Sequence, residues 1–127
     1  MTNKKFPQNF VGMPAAIMLE EFGSQVWSAF GTPPYLTGSS LYTKKWRDVD
    51  VRLILSDEEY EQWGFGNPIQ CHQNGKWVSL CLAFSALGKQ ITSLPIDFQI
   101  QQRSKANRDF KNARFSLGNI DLRIIKK

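Results

Sequence analysis

Hydrophobic residues recur at helical spacing in two long stretches of the chain. In residues 13–30 the large apolar side chains lie three or four positions apart, and Pro14 suits a first helical turn. Gly23 is a weak point at which this helix could divide. Residues 77–91 show the clearer i, i+3, i+4, i+7 pattern, rich in Trp and Phe. Both stretches therefore predict amphipathic helices whose aromatic sides face a core.

Apolar and polar residues alternate in two other stretches, which is the period of a half-buried β-strand. In residues 48–55 the polar face begins with Asp48 and Asp50. In residues 96–101 it begins with Asp97, followed by two glutamines. The opposite faces are apolar: Val49, Val51, Leu53 and Leu55 in the first stretch, and Ile96, Phe98 and Ile100 in the second. The pattern predicts two strands, each with one apolar face toward the core.

Shorter elements occupy the intervals. Residues 35–37 predict a short strand, and Ser56 with Glu59 forms a capping box that predicts a short helix. Residues 64–75 predict a loop. Toward the end of the chain we expect a helix or an ordered loop over 103–114, a turn at 116–119 and a short strand at 120–125.

This order of elements predicts an α/β (α+β) fold, a small mixed β-sheet with helices packed on one side. The 127 residues fit a single domain, 1–127, with residues 103–127 as a basic C-terminal segment. No apolar run approaches the ~20 residues of a membrane span, and the N-terminal lysines precede no apolar signal core. We therefore expect a cytoplasmic protein with no membrane partner.

Charge and cysteine content narrow the chemistry. The net charge is +5, of which the residues from Arg103 onward contribute +6 and the rest −1. Such a segment attracts phosphates or nucleic acid, although a solvated tail is the commoner explanation. Cys71 and Cys81 are expected to be reduced thiols of an intracellular protein. With His72 as the single histidine, the chain is too poor in ligands to predict a zinc site.

The acidic residues are the strongest candidates for chemistry. If the two predicted strands are neighbours with aligned core faces, Asp97 lies on the same face as Asp48 and Asp50. Three carboxylates that converge repel one another unless a cation lies between them, and Mg²⁺ binds through carboxylates and substrate phosphates. The alternative is a solvated strand face that happens to carry acidic residues.

Gly38-Ser39, Asp48-Val49-Asp50 and the later Asp97 resemble, in that order, the signature of the DNA polymerase β-like nucleotidyltransferase superfamily. The resemblance covers residues 20–101, and the size is similar to that of the minimal single-domain members. The stretches RDVDVRLIL and LPIDFQIQ also resemble uncharacterised phage or prophage proteins of this superfamily. That origin would place the chain in the host cytoplasm.

The resemblance implies a reaction and a role for each residue. A nucleoside monophosphate passes from an NTP to an acceptor with two Mg²⁺ ions, held by Asp48, Asp50 and Asp97. Gly38 lets the backbone approach the triphosphate, and a hydroxyl bonds its oxygens. The residues expected beside the phosphates are Ser39 or its alternative Ser40, together with Lys44, Lys45 and Arg47, which otherwise form a solvated basic loop.

Other functions stay open at this point. The acceptor is unknown and could be a small molecule, a protein or a nucleic acid. The chain shows no separate acceptor-binding domain, so a catalytically inactive module of the same fold, acting through a nucleotide, a homodimer or a partner protein, is the alternative. A nucleic-acid-binding protein that uses the basic segment is a third hypothesis, weakened by its few aromatic residues.

Overall fold

The computed structural model describes residues 7–110 and 113–118. These residues form a mixed sheet with helices, which confirms the predicted α/β (α+β) class. The helices are α1 (Ala15–Phe30), α2 (Asp57–Gln62), α3 (Gly75–Thr92) and α4 (Arg103–Asp109), and the strands are β1 (Tyr35–Thr37), β2 (Val49–Leu55), β3 (Ile96–Gln102) and β4 (Phe115–Ser116).

The strands are ordered β3-β2-β1-β4 across the sheet. β2 and β3 run parallel, whereas β1 is antiparallel to both β2 and β4. A parallel pair needs a long crossover connection, and α2 and α3 supply it between β2 and β3. Asp50 lies directly opposite Asp97 in this pair. The strands that carry Asp50 and Asp97 are therefore neighbours with aligned faces, which is the condition under which these acids lie together.

The hydrophobic core lies between one face of the sheet and the helices α1 and α3, which also contact each other. Phe98 of β3 joins both helices, because its ring packs against Phe22 of α1 and Phe84 of α3. On the opposite face, Ile54 is also buried where α4 contacts β2 and β3. Among the described helices, none has both the length and the hydrophobicity that crossing a membrane requires.

Gly23 does not divide the first helix, because α1 is continuous through it. The glycine is buried against the end of the described chain, where an added Cβ would lie 2.5 Å from the Leu117 Cβ. Beside it, the Gly118 N–H donates to Glu20 Oε2 at 2.7 Å. A small residue in this helix is therefore explained by close packing, which the sequence pattern does not reveal.

Several local predictions can be compared with the structure. The N-cap half of the capping box is confirmed, since Ser56 Oγ accepts the Glu59 N–H at 3.2 Å. The Glu59 carboxylate accepts from the Ser56 hydroxyl and not from the Ser56 backbone N–H. The loop predicted over 64–75 is wrong in part, because Pro68–Gln73 forms tight helical turns and α3 already begins at Gly75. β4 overlaps the turn predicted over 116–119 at Ser116 alone. The strand predicted over 120–125 falls outside the described residues.

Candidate functional site

Two of the three predicted carboxylates meet on the face of the sheet that is turned away from the core. We call this the open face. Asp50 and Asp97 are partners in the parallel pairing of β2 and β3, and adjacent strands lie about 4.8 Å apart. Their side chains are 26% and 42% exposed, respectively. The pair is therefore close together and still accessible from solvent.

Asp48 lies apart from the strand, because β2 begins at Val49 rather than at the predicted position 48. It is an exposed residue of the bend that precedes the strand. Its charge still reaches Asp50 and contributes to raising the pKa of that carboxyl. Within residues 7–110 and 113–118, no three acidic, His or Cys residues are grouped so that they could hold a metal ion.

Arg52 occupies the space beside the two paired carboxylates. Its Nη2 lies 3.6 Å from Asp50 Oδ1 and 3.3 Å from Asp97 Oδ2, and its Nη1 donates to the Asp97 carbonyl oxygen at 2.6 Å. Arg52 was not among the residues that the sequence pattern predicted for the site. The signal was present, because a side chain two positions after Asp50 in a strand lies on the same face.

The electrostatics of the pair follow from this arrangement. Burial raises the pKa of the Asp50 carboxyl, and the negative charges of Asp97 and Asp48 raise it further. The Arg52 guanidinium acts in the opposite direction and lowers that pKa. A nearby positive charge therefore favours the ionised form of Asp50, and Arg52 supplies one such charge.

Gly38 lies directly against Asp50, since β1 ends at Thr37, which is the strand partner of Asp50. Its φ of 81° and ψ of −159° place it in a region that is essentially restricted to glycine. A Cβ here would overlap Asp50 Oδ2 and would lie 3.0 Å from the Asp50 Cγ. The glycine therefore makes room for the carboxylate, a role different from the predicted approach to phosphate and compatible with it.

The two candidate serines differ in access. Ser39 is exposed at the start of the helical turn Ser39–Leu41, whereas Ser40 is fully buried. The Ser40 hydroxyl has no hydrogen-bond partner among the described residues. The turn is held from outside by backbone donation from Phe10 to the Ser40 carbonyl oxygen. Ser39 is thus the hydroxyl that a ligand in solvent can reach.

The basic connector between the turn and β2 is on the surface. Lys44, Lys45 and Arg47 are all exposed, and none of them forms an ion pair with a described residue. The connector is fixed by Trp46, whose indole N–H donates to the Phe10 carbonyl oxygen at 3.3 Å. The three cations are therefore available to bind a ligand, but they do not line the cavity that is described next.

A cavity of about 240 Å³ lies over the open face and includes the Asp50 side of the acid pair. We call it the open-face cavity. Residues of the C-terminal segment complete it, which the sequence did not predict. The residues that line it are Thr37, Gly38, Asp50, Arg52, Gln99, Gln101, Phe110, Ala113 and Arg114.

Comparison of the chain with models of protein families, with curated proteins and with solved structures finds no match. The resemblance to nucleotidyltransferases therefore rests on the sequence motifs alone.

Proposed function

We propose that this protein binds a nucleoside triphosphate with Mg²⁺ at the open face and transfers the nucleoside monophosphate to an acceptor. The observation that supports this most is the pairing of Asp50 with Asp97 in register, beside the glycine turn at Gly38. Two adjacent carboxylates together with substrate phosphates are a typical ligand set for Mg²⁺. The predicted acidic site is thus supported by geometry as well as by sequence.

The residues fit the groups that the reaction needs. Asp50 and Asp97 would hold Mg²⁺, with Asp48 near enough to affect the charge of Asp50. When bound, the metal supplies the positive charge that a transferred phosphoryl group requires. Asp97, the more exposed of the pair, would accept the proton of the acceptor hydroxyl. Ser39 and the exposed connector cations would contact the outgoing pyrophosphate.

A catalytically inactive module is the second candidate, and Arg52 favours it. A single guanidinium lies beside both carboxylates and donates a hydrogen bond to the backbone of β3. Its positive charge offsets part of the repulsion between the two acids without a metal. In that case the open face would bind a nucleotide or a partner through Arg52, without transfer.

Calorimetric titration of the four NTPs, with and without Mg²⁺, tests the proposal. We expect metal-dependent binding to the wild type and a loss in affinity of about tenfold or more in an Asp48→Asn/Asp50→Asn double variant, since losing about 1.4 kcal/mol of interaction weakens binding tenfold. Glu58→Gln, an exposed acid on α2, is the control and should bind as the wild type does.

The same proteins separate the two candidates. Release of pyrophosphate during incubation with NTP, Mg²⁺ and a mixture of hydroxyl-bearing acceptors would support transfer. Binding that needs no Mg²⁺ and is lost in Arg52→Met would support the inactive module. If the wild type binds no NTP under either condition, the proposal is wrong.

A further inference from the structure

The open face continues beyond the acids as a strip of neutral polar groups. Gln99 lies opposite Arg52 and Gln101 lies opposite Ile54 in the pairing of β3 with β2. Both glutamines line the open-face cavity, and neither makes a side-chain hydrogen bond to a described residue. Two carboxamides are therefore available to a ligand, each with a donor and an acceptor.

The C-terminal segment forms the other wall of this cavity. The Arg114 guanidinium donates to Asn107 Oδ1 at 3.1 Å and to the Phe110 carbonyl oxygen at 3.2 Å, which holds Arg114 against the end of α4. Phe110 lines the cavity and is 45% exposed. Lys105 Nζ lies over its ring, 5.2 Å from the centroid. A ligand that stacks on Phe110 would use the opposite side of the ring.

Size and charge indicate which part of a ligand fits here. The cavity volume of about 240 Å³ is below the roughly 300–1,000 Å³ of sites for drug-sized ligands, so it suits one ring system. The carboxylate that lines the cavity, Asp50, lies beside Gly38. Gln101 lies about 13 Å further along the sheet, because it follows Asp97, the strand partner of Asp50, by four residues. The end near Gln101 and Phe110 thus combines neutral hydrogen-bonding groups with an aromatic ring.

We propose that the open-face cavity holds the base of the nucleotide, with Phe110 stacking on it and Gln99 and Gln101 reading its edge. This inference rests on the proposed function, because the triphosphate is taken to lie at the Gly38 and Asp50 end. A carboxamide bonds the adjacent N6 donor and N7 acceptor of adenine, whereas a purine with O6 presents two acceptors on that edge. ATP is therefore the NTP that this protein selects.

Titration of ATP, ITP and inorganic tripolyphosphate, each with Mg²⁺, tests the base and the phosphates separately. In the wild type we expect ATP to bind at least about tenfold more tightly than ITP, in which a carbonyl oxygen replaces the N6 amino group. Gln101→Leu should lower the affinity for ATP by about the same factor and leave tripolyphosphate unchanged. Gln90→Leu, an exposed position on α3, is the matched control.

Phe110→Leu provides a second variant with a different signature. Loss of stacking should weaken ATP and ITP by similar factors of about tenfold, again without an effect on tripolyphosphate. The comparison of ATP with ITP uses the wild type alone, so the inference stays testable even if a variant fails to fold.

Three outcomes would overturn the inference. If tripolyphosphate binds with Mg²⁺ but ATP binds no more tightly than ITP, the cavity does not read adenine, although the proposed function stands. If Gln101→Leu weakens tripolyphosphate as much as ATP, the amide acts on phosphate and not on the base. If neither tripolyphosphate nor any NTP binds, the proposed function fails and the base site fails with it.

Discussion

Arg52 changes the interpretation of the two acids that it contacts. From the sequence, facing carboxylates imply a missing cation, since like charges at short distance are unfavourable. The structure contains a cation already, because the Arg52 guanidinium lies within 3.6 Å of both carboxylates and the Arg52 side chain is only 14% exposed. A divalent metal at this pair would have to compete with Arg52, and displacement would free the guanidinium to bind phosphate.

Replacement of Arg52 by Met should therefore expose the unbalanced charge of the pair. We expect a loss of about 1–3 kcal/mol in the free energy of unfolding without metal, the range for losing hydrogen bonds to charged groups. Addition of Mg²⁺ should raise the melting temperature of this variant more than that of the wild type. Arg47→Met is the control, since Arg47 is exposed and makes no ion pair with a described residue. An equal response of Arg52→Met and wild type to Mg²⁺ would show that no metal enters at this pair.

At the scale of elements, α3 does more than cover the core, because it also protects the edge of the sheet. β3 is an edge strand, and its outward backbone groups would otherwise be unpaired. Ser85 Oγ accepts the Phe98 N–H at 2.9 Å, and the Trp77 indole N–H donates to the Ile100 carbonyl oxygen at 2.8 Å. The helix thus holds in place the strand that carries Asp97.

Ser85→Ala tests this contact. It leaves a part-buried N–H without its acceptor, so we expect a loss of about 1–2 kcal/mol in the free energy of unfolding and faster hydrogen exchange of the Phe98 amide. Ser79→Ala, an exposed serine of the same helix, should have an effect near zero. Equal behaviour of the two variants in denaturant titrations would mean that the Ser85 contact adds nothing.

A second contact between elements depends on pH. Asp57 of α2 accepts hydrogen bonds from the backbone N–H and the hydroxyl of Ser104, at the start of α4. These bonds hold the pKa of the Asp57 carboxyl below its ordinary value of 3.8, with a smaller effect from the positive charge of Arg103. Because the folded pKa is lowered, the stabilisation is present above that ordinary value and is lost as the pH falls below it.

Asp57→Asn should therefore reduce the decline in stability on acidification through pH 4 to 3. The measurement is the free energy of unfolding of the variant and the wild type at pH 6 and at pH 3. Glu58→Gln removes a neighbouring exposed acid without that hydrogen bond and serves as the control. Parallel declines in Asp57→Asn and the wild type would contradict the assignment.

For the molecule as a whole, residues 113–118 complete the sheet, and together with Phe110 they complete the wall of the candidate site. β4 pairs with β1, the Leu117 N–H donates to the Pro34 carbonyl oxygen, and residues 117–118 pack on α1 at Gly23. Just before β4, Phe110, Ala113 and Arg114 line the open-face cavity. The packing of β4 and residues 117–118 therefore helps to fix the position of the neighbouring residues that line the cavity.

Gly23→Ala should destabilise the protein, although alanine is the better helix former. Its Cβ would lie 2.5 Å from the Leu117 Cβ and 2.7 Å from the Gly118 N, and such overpacking costs about 1–3 kcal/mol. Gly75→Ala is the matched control, since Gly75 begins α3 with nothing within 4 Å. It should be neutral or stabilise by up to about 1 kcal/mol. A stabilising Gly23→Ala would show that residues 117–118 do not pack closely on α1.

The helices and strands that depend on local periodicity followed from the sequence alone. α1, α3, β2 and β3 each have one apolar face, and an element with such a face has to bury it. The same alternation placed Asp50 and Asp97 on the face opposite the core. These features were predictable because they depend on residues that are close together in the sequence, within one or two helical turns or a few positions of a strand.

Only the tertiary structure decided the contents of the site. The pairing that brings Asp50 to Asp97 and Arg52 to both depends on strand register, which joins residues 47 positions apart. The difference in exposure between Ser39 and Ser40 depends on what packs around the turn. The wall formed near Phe110 comes from a polar segment without periodicity. Such features arise from contacts between distant parts of the chain, and the local pattern of a sequence does not record them.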